Sequence, residues 1–168
     1  MSDQPTGVTQ DDIEGFADFV LAGAEKLLAR DGHVIPVVLM ARGDTVGVRD
    51  VSNFFGTATG KDVFAAYMRF AALSGADMLG LVTEAWSLHD PSGTSERIAS
   101  GRNIAHAPGR RECIQVTVQA KTGWTLKQRF FGRDAAGKPV LEELVTHGSL
   151  DTDGATWGGR LMNWYRTD

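Results

Sequence analysis

The chain has 168 residues, of which 42% are hydrophobic and 23% charged, with a formal net charge of −4. That composition describes one globular domain, long enough to bury a core without metal or disulfide staples. Its single cysteine, Cys113, excludes an intramolecular disulfide framework, the polar start M-S-D-Q-P-T-G offers no secretory signal, and no apolar run approaches the roughly 18 residues of a membrane span.

The expectation is therefore a soluble cytoplasmic protein in which residues 1–168 form one domain. A flexible N-terminus (1–8), a long loop (90–111) and a C-terminal arm (148–168) are its irregular parts. The net charge conceals a split. Residues 1–31 hold seven acids against Lys26 and Arg30, whereas residues 95–133 hold eight bases against Glu96 and Glu112. Such a split marks either an anionic partner for the basic part, or an acidic helix and a basic sheet that complement each other in the fold or across a dimer.

In chain order, a helix is predicted from Thr9, a capping residue, with Asp11, Asp12 and Glu14 at the positive end of its dipole. Ile13, Phe16, Ala17, Val20, Ala24, Leu27 and Leu28 recur at helical spacing, and Asp31-Gly32 closes the element. The runs 34–41 and 46–51 flank a Gly-Asp turn and predict a hairpin, with Pro36 placing its strand at an edge or an irregular point. Phe54 and Phe55 sit in the following loop. The stretch G-T-A-T-G-K-D (56–62) approaches a phosphate loop but has three residues between its glycines and Asp62 after Lys61. It reads instead as a helix start with Thr59 as cap. The helix that follows, 61–74, is apolar almost all round, which predicts burial against a sheet and under the first helix or a partner subunit.

Residues 76–90 form the longest strand-like run. Period two places Glu84 as the one charged group on the apolar face of Met78, Gly80, Val82 and Trp86, with Trp86 in the core. A carboxylate there needs a partner, and an arginine of a neighbouring strand is the expected one. Clean alternation over 113–120, 124–131 and 139–147 predicts three further strands, with Trp124 on the core face and Lys127 and Arg129 on the opposite one. The fold expected is α+β: two helices packed on one face of a mainly antiparallel five- to six-stranded sheet, in the order α-β-β-α-β-long loop-β-β-β.

Candidate chemistry is sparse. Glu84, with His89 and His106 flanking the long loop, forms the constellation that a small hydrolase or lyase would use. The histidine spacing matches no metal signature, and no cofactor motif is present. Arg97, Arg102, Arg110, Arg111, Lys127 and Arg129 are candidates for binding an anion or a partner, nucleic acid among them. Cys113 reads as packing. The T-E-A-W segment (83–86), the Pro/Gly/Arg-rich loop and the R-E-x-x-x-V strand resemble small uncharacterised bacterial α+β proteins that carry S-E-A-W. That resemblance covers residues 76–118 and implies no known activity. The leading expectation is a non-enzymatic interaction or accessory protein of bacterial or phage type, working as a homo-oligomer or with a protein partner and without a membrane. A hydrolase or lyase and a nucleic-acid binder are the alternatives.

Overall fold

The computed structural model describes residues 7–87, 109–148 and 164–165. Its elements are α1 (Gln10–Asp31), β1 (Val37–Arg42), β2 (Thr45–Asp50), a 3₁₀ turn (Ser52–Phe54), α2 (Ala58–Leu73), β3 (Met78–Ser87), β4 (Arg111–Ala120), β5 (Gly123–Arg133) and β6 (Pro139–Gly148). The six strands form one sheet in the order β2-β1-β3-β4-β5-β6, every neighbouring pair antiparallel. The α+β class and the predicted element order hold. No helix among the described residues is long and apolar enough to cross a membrane.

The first helix starts and stops where its sequence dictates. Thr9 accepts from the Asp12 amide while the Asp12 carboxylate accepts from the Thr9 amide, a reciprocal cap that satisfies two orphan donors. At the other end Gly32 takes φ 78° and returns its N–H to the Leu28 carbonyl at 2.9 Å. A residue with a Cβ would be strained there.

The second helix begins earlier than predicted. Its cap is Thr57, not Thr59, and Thr57 Oγ1 accepts from the Gly60 amide at 3.0 Å. Gly60 has a steric reason to be glycine, because a Cβ at that position would lie 2.6 Å from the Phe54 carbonyl oxygen. The glycine that suggested a phosphate loop serves instead to seat the helix on the 3₁₀ turn. Phe54 and Phe55 find their place against Phe64, with ring centroids 5.8 and 5.3 Å apart.

The two helices lie on opposite faces of the sheet, and here the expectation of a shared face is corrected. Leu39, Val82, Ile114, Val116 and Val118 point to α1, whose Ile13, Ala17, Val20, Leu21, Ala24 and Leu28 complete one core. Val38, Leu79 and Leu81 point the other way, to Phe64, Met68, Ala71 and Ala72 of α2. Both faces of the central strands are thus buried, which period-two patterning with only one core face does not anticipate. The arm enters the second core through Trp164, fully buried, whose amide donates to Gln119 Oε1 at 3.0 Å, and Tyr165 donates its hydroxyl to the Ala76 carbonyl at 2.8 Å.

Candidate functional site

Glu84 sits on β3 opposite Ile114, on the face covered by α1. Among the described residues its partner is not an arginine. Oε1 accepts from the backbone amide of Val34 at 2.5 Å. Val34 lies in the connection from α1 to β1, just before Pro36, and is itself buried. A buried amide with no place in the ladder needs an acceptor, and a charged one is the stronger choice. Glu84 therefore pins the α1–β1 connection to the central strand. His89 and His106, its proposed catalytic companions, lie outside the described residues, as do Arg97 and Arg102.

Trp86 is not in the core. It is 42% exposed, and the Arg110 guanidinium stands 4.8 Å from its ring centre, a cation–π contact at the end of β3. Arg111, next in sequence, reaches across the sheet to two glutamates of β6: it donates to Glu142 Oε2 at 2.5 Å and is paired through two nitrogens with Glu143. Hydrogen bonds from Arg111 pull the Glu143 carboxyl down to about 2, and the guanidinium itself is held more firmly protonated than usual.

Lys127 and Arg129 lie under α1, not on an outer face. Lys127 is almost wholly buried; its ammonium sits 2.6 Å from Asp18 Oδ1 and 3.0 Å from Glu14 Oε2. Burial works against that charge, but the hydrogen bonds to Asp18 and Glu14 outweigh it and raise the lysine above its ordinary value. Arg129 pairs with Glu25 at 2.7 Å and donates to the Glu142 carbonyl at 3.0 Å. Arg133 continues the row, bonding Glu112 at 3.2 Å and the Gly32 carbonyl at the end of α1 at 3.1 Å. The acidic first helix and the basic β5 are therefore the two sides of one seam within the fold.

Cys113 is fully buried, and desolvation pushes its thiol up to about 11 despite the nearby Arg111 cation. At neutral pH it is a packing thiol and not a nucleophile. Among the described residues no group of histidine, cysteine and carboxylate side chains is placed to hold a metal ion.

The feature that sequence patterning missed is an apolar groove of about 270 Å³ between α1 and the β1–β2 hairpin. Phe19, Gly23 and Leu27 form one wall; Val37, Leu39 and Val48 form the other. It exists because α1 lies over β3, β4 and β5 and leaves the hairpin end of that face uncovered. A signal was present in Phe19, which lies beside the buried stripe of α1, and in the alternation of Val46 and Val48. No protein-family model, curated protein or solved structure matches this chain.

Proposed function

We propose that the chain is a non-enzymatic interaction or accessory protein that works in an oligomer or larger assembly. The observation that supports this most is the two-sided apolar character of α2. Phe64, Met68, Ala71 and Ala72 face the core, whereas Val63, Phe70 and Leu73 stand outward, 53%, 69% and 69% exposed. Val63, Ala66, Phe70 and Leu73 recur at steps of three, four and three, one stripe down the outer side. A helix with apolar stripes on two sides needs cover on both. The first helix cannot supply it, because it occupies the opposite face of the sheet. A clustered apolar stripe of this kind marks an interaction surface more than scattered surface residues do.

The described cations add to this reading. Lys127, Arg129 and Arg111 have carboxylate partners within the chain, so an anionic ligand would compete with those contacts. The test is sedimentation or light scattering over a concentration series. The wild type is expected above the 18.1 kDa of one chain, and the double variant Phe70→Glu, Leu73→Glu is expected to lose mass at an unchanged unfolding midpoint. A wild-type mass of one chain at every concentration overturns the proposal.

A further inference from the structure

The two edges of the sheet are built differently. The β6 edge opens on Pro139, which has no N–H to offer, carries Glu142 and Glu143 beneath Arg111, and shifts register against β5 between Arg129 and Phe131. Proline, charge and a bulge are three of the devices that prevent a further strand from joining an edge. The β2 edge, Thr45–Asp50, has no proline, no lysine and an unbroken register with β1, and all six residues are exposed. Its two charges are engaged elsewhere. The Arg49 guanidinium lies 5.7 Å from the Tyr67 ring centre on the α2 side, and Asp50 Oδ1 accepts from the Ser52 amide and hydroxyl.

The direction of the unused backbone groups follows from one bond. Val51 N–H donates to the Pro36 carbonyl, so the hydrogen-bonded pairs of this antiparallel ladder alternate from there, and Thr45, Gly47 and Arg49 point inward to β1. Val46 and Val48 therefore present their N–H and C=O groups outward. The same two residues turn their side chains to the α1 side, opposite Ala41 and Leu39. There Val48, 67% exposed, and Phe19, 68% exposed, face each other across the groove.

We infer that β2 pairs antiparallel with β2 of a second copy of this chain, joining two six-stranded sheets into one continuous sheet. A two-fold axis normal to the sheet sets even-numbered residues opposite even-numbered ones. Outward donors then meet outward acceptors, and the Val46 and Val48 pairs meet on the groove face between the two Phe19 rings. Because Arg49 and Asp50 are held within their own chain, no charge stands in the centre of that contact. Edges of six residues with one aromatic wall each give a contact at the small end of the interface range, below about 1,200 Å² in total. The pairing is accordingly reversible on dilution. This inference deepens the assembly reading proposed above but uses a surface separate from α2.

Residue-resolved amide exchange on the full chain at a low and a hundredfold higher concentration tests it. The Val46 and Val48 amides are expected to slow at least tenfold at the higher concentration, while Gly47 and Arg49 are protected at both. Val48→Lys is expected to abolish the concentration dependence. Val48→Pro is expected to do the same, since it removes an N–H that the monomer does not use. Exchange at Val46 and Val48 that is fast at both concentrations overturns the inference. Phe70→Glu separates the two surfaces. If it leaves the mass unchanged while Val46 and Val48 still slow, the α2 reading fails and strand pairing stands. If it lowers the mass while Val46 and Val48 remain fast throughout, strand pairing fails and α2 stands.

Discussion

The two ends of the sheet present opposite solutions to the same problem. At the β5–β6 end α1 is stitched down by Lys127 to Glu14 and Asp18, and by Arg129 to Glu25, and the edge beyond is blunted by Pro139, Glu142 and Glu143. At the β1–β2 end the same helix leaves an apolar groove, and no strand among the described residues covers the edge beyond. Charge and specific hydrogen bonds have gone to the side that must stay closed. Apolar surface and unused backbone groups are left on the side available to another chain. If β2 pairs as inferred above, stability resides at one end of the sheet and strand pairing at the other, and substitutions can separate the two.

The largest effect should come from Lys127→Ala. The lysine is 7% exposed and holds two carboxylates that are 31% and 63% exposed. Deleting it leaves a void under α1 and two unpaired acids, although their partial hydration lessens the penalty. A loss of about 2–3 kcal/mol is expected in denaturant unfolding, toward the low side of what breaking a buried pair costs. Since pairing raises the lysine above its ordinary 10.5, this contribution is complete below that value and lost as pH rises beyond it. By contrast Val48→Lys at the open end should change the unfolding free energy by less than about 0.5 kcal/mol, as exposed substitutions usually do. If the two variants lose stability equally, the comparison between the ends fails.

The sequence carried the elements more legibly than their faces. The first helix was readable from Thr9 to Gly32 because cap, dipole charges and stripe agree, and local agreement of that kind survives folding. The strands 113–120 and 124–131 were readable from alternation. That both sides of β5 lie inward was not, because Lys127 and Arg129 look like solvent-facing residues until a helix with carboxylates at matching positions is laid over them. The regional charge split did hold that information, but only as one of two readings. Likewise Trp86 looked like core because strand patterning says nothing of where the cover ends, and its ring stands 42% exposed beside Arg110. Glu84 was legible as a group that needs a partner. Its partner, the Val34 amide, was not, since a backbone donor leaves no mark in the sequence.

A middle-sized effect is expected at Glu84, which tests whether the α1–β1 connection belongs to the closed or the open part. Glu84→Ala leaves the Val34 N–H without an acceptor and should cost about 1–2 kcal/mol. Glu84→Gln keeps an oxygen in place and should cost less than half of that. Equal losses for both would mean that the carboxylate charge, not the hydrogen bond to Val34, holds the connection. No loss for either would place the connection with the open end.

The smallest effect concerns the blunted edge itself. Arg111 holds the Glu143 carboxyl at about 2, against an ordinary value of 4.5. A depressed carboxylate favours the folded state above pH 4.5, and that contribution fades as pH falls from 4.5 through about 2. The Glu143 side chain is about half exposed to solvent, so its pairing adds little to stability, and the titration itself is the sensitive readout. Carbon-detected NMR of the Glu143 carboxyl should show a midpoint near 2 in the wild type and a return toward 4.5 in Arg111→Gln. The fold should persist in that variant, because Pro139 and the register shift still mark the edge. What Arg111→Gln removes is the fixed position of two carboxylates along β6. If this charge is what keeps β6 from accepting a strand, the variant should gain concentration-dependent protection at β6 amides that the wild type lacks. A variant whose Glu143 returns to 4.5 with no new protection would assign the blunting to Pro139 and the bulge, and leave β2 as the edge defined by having neither.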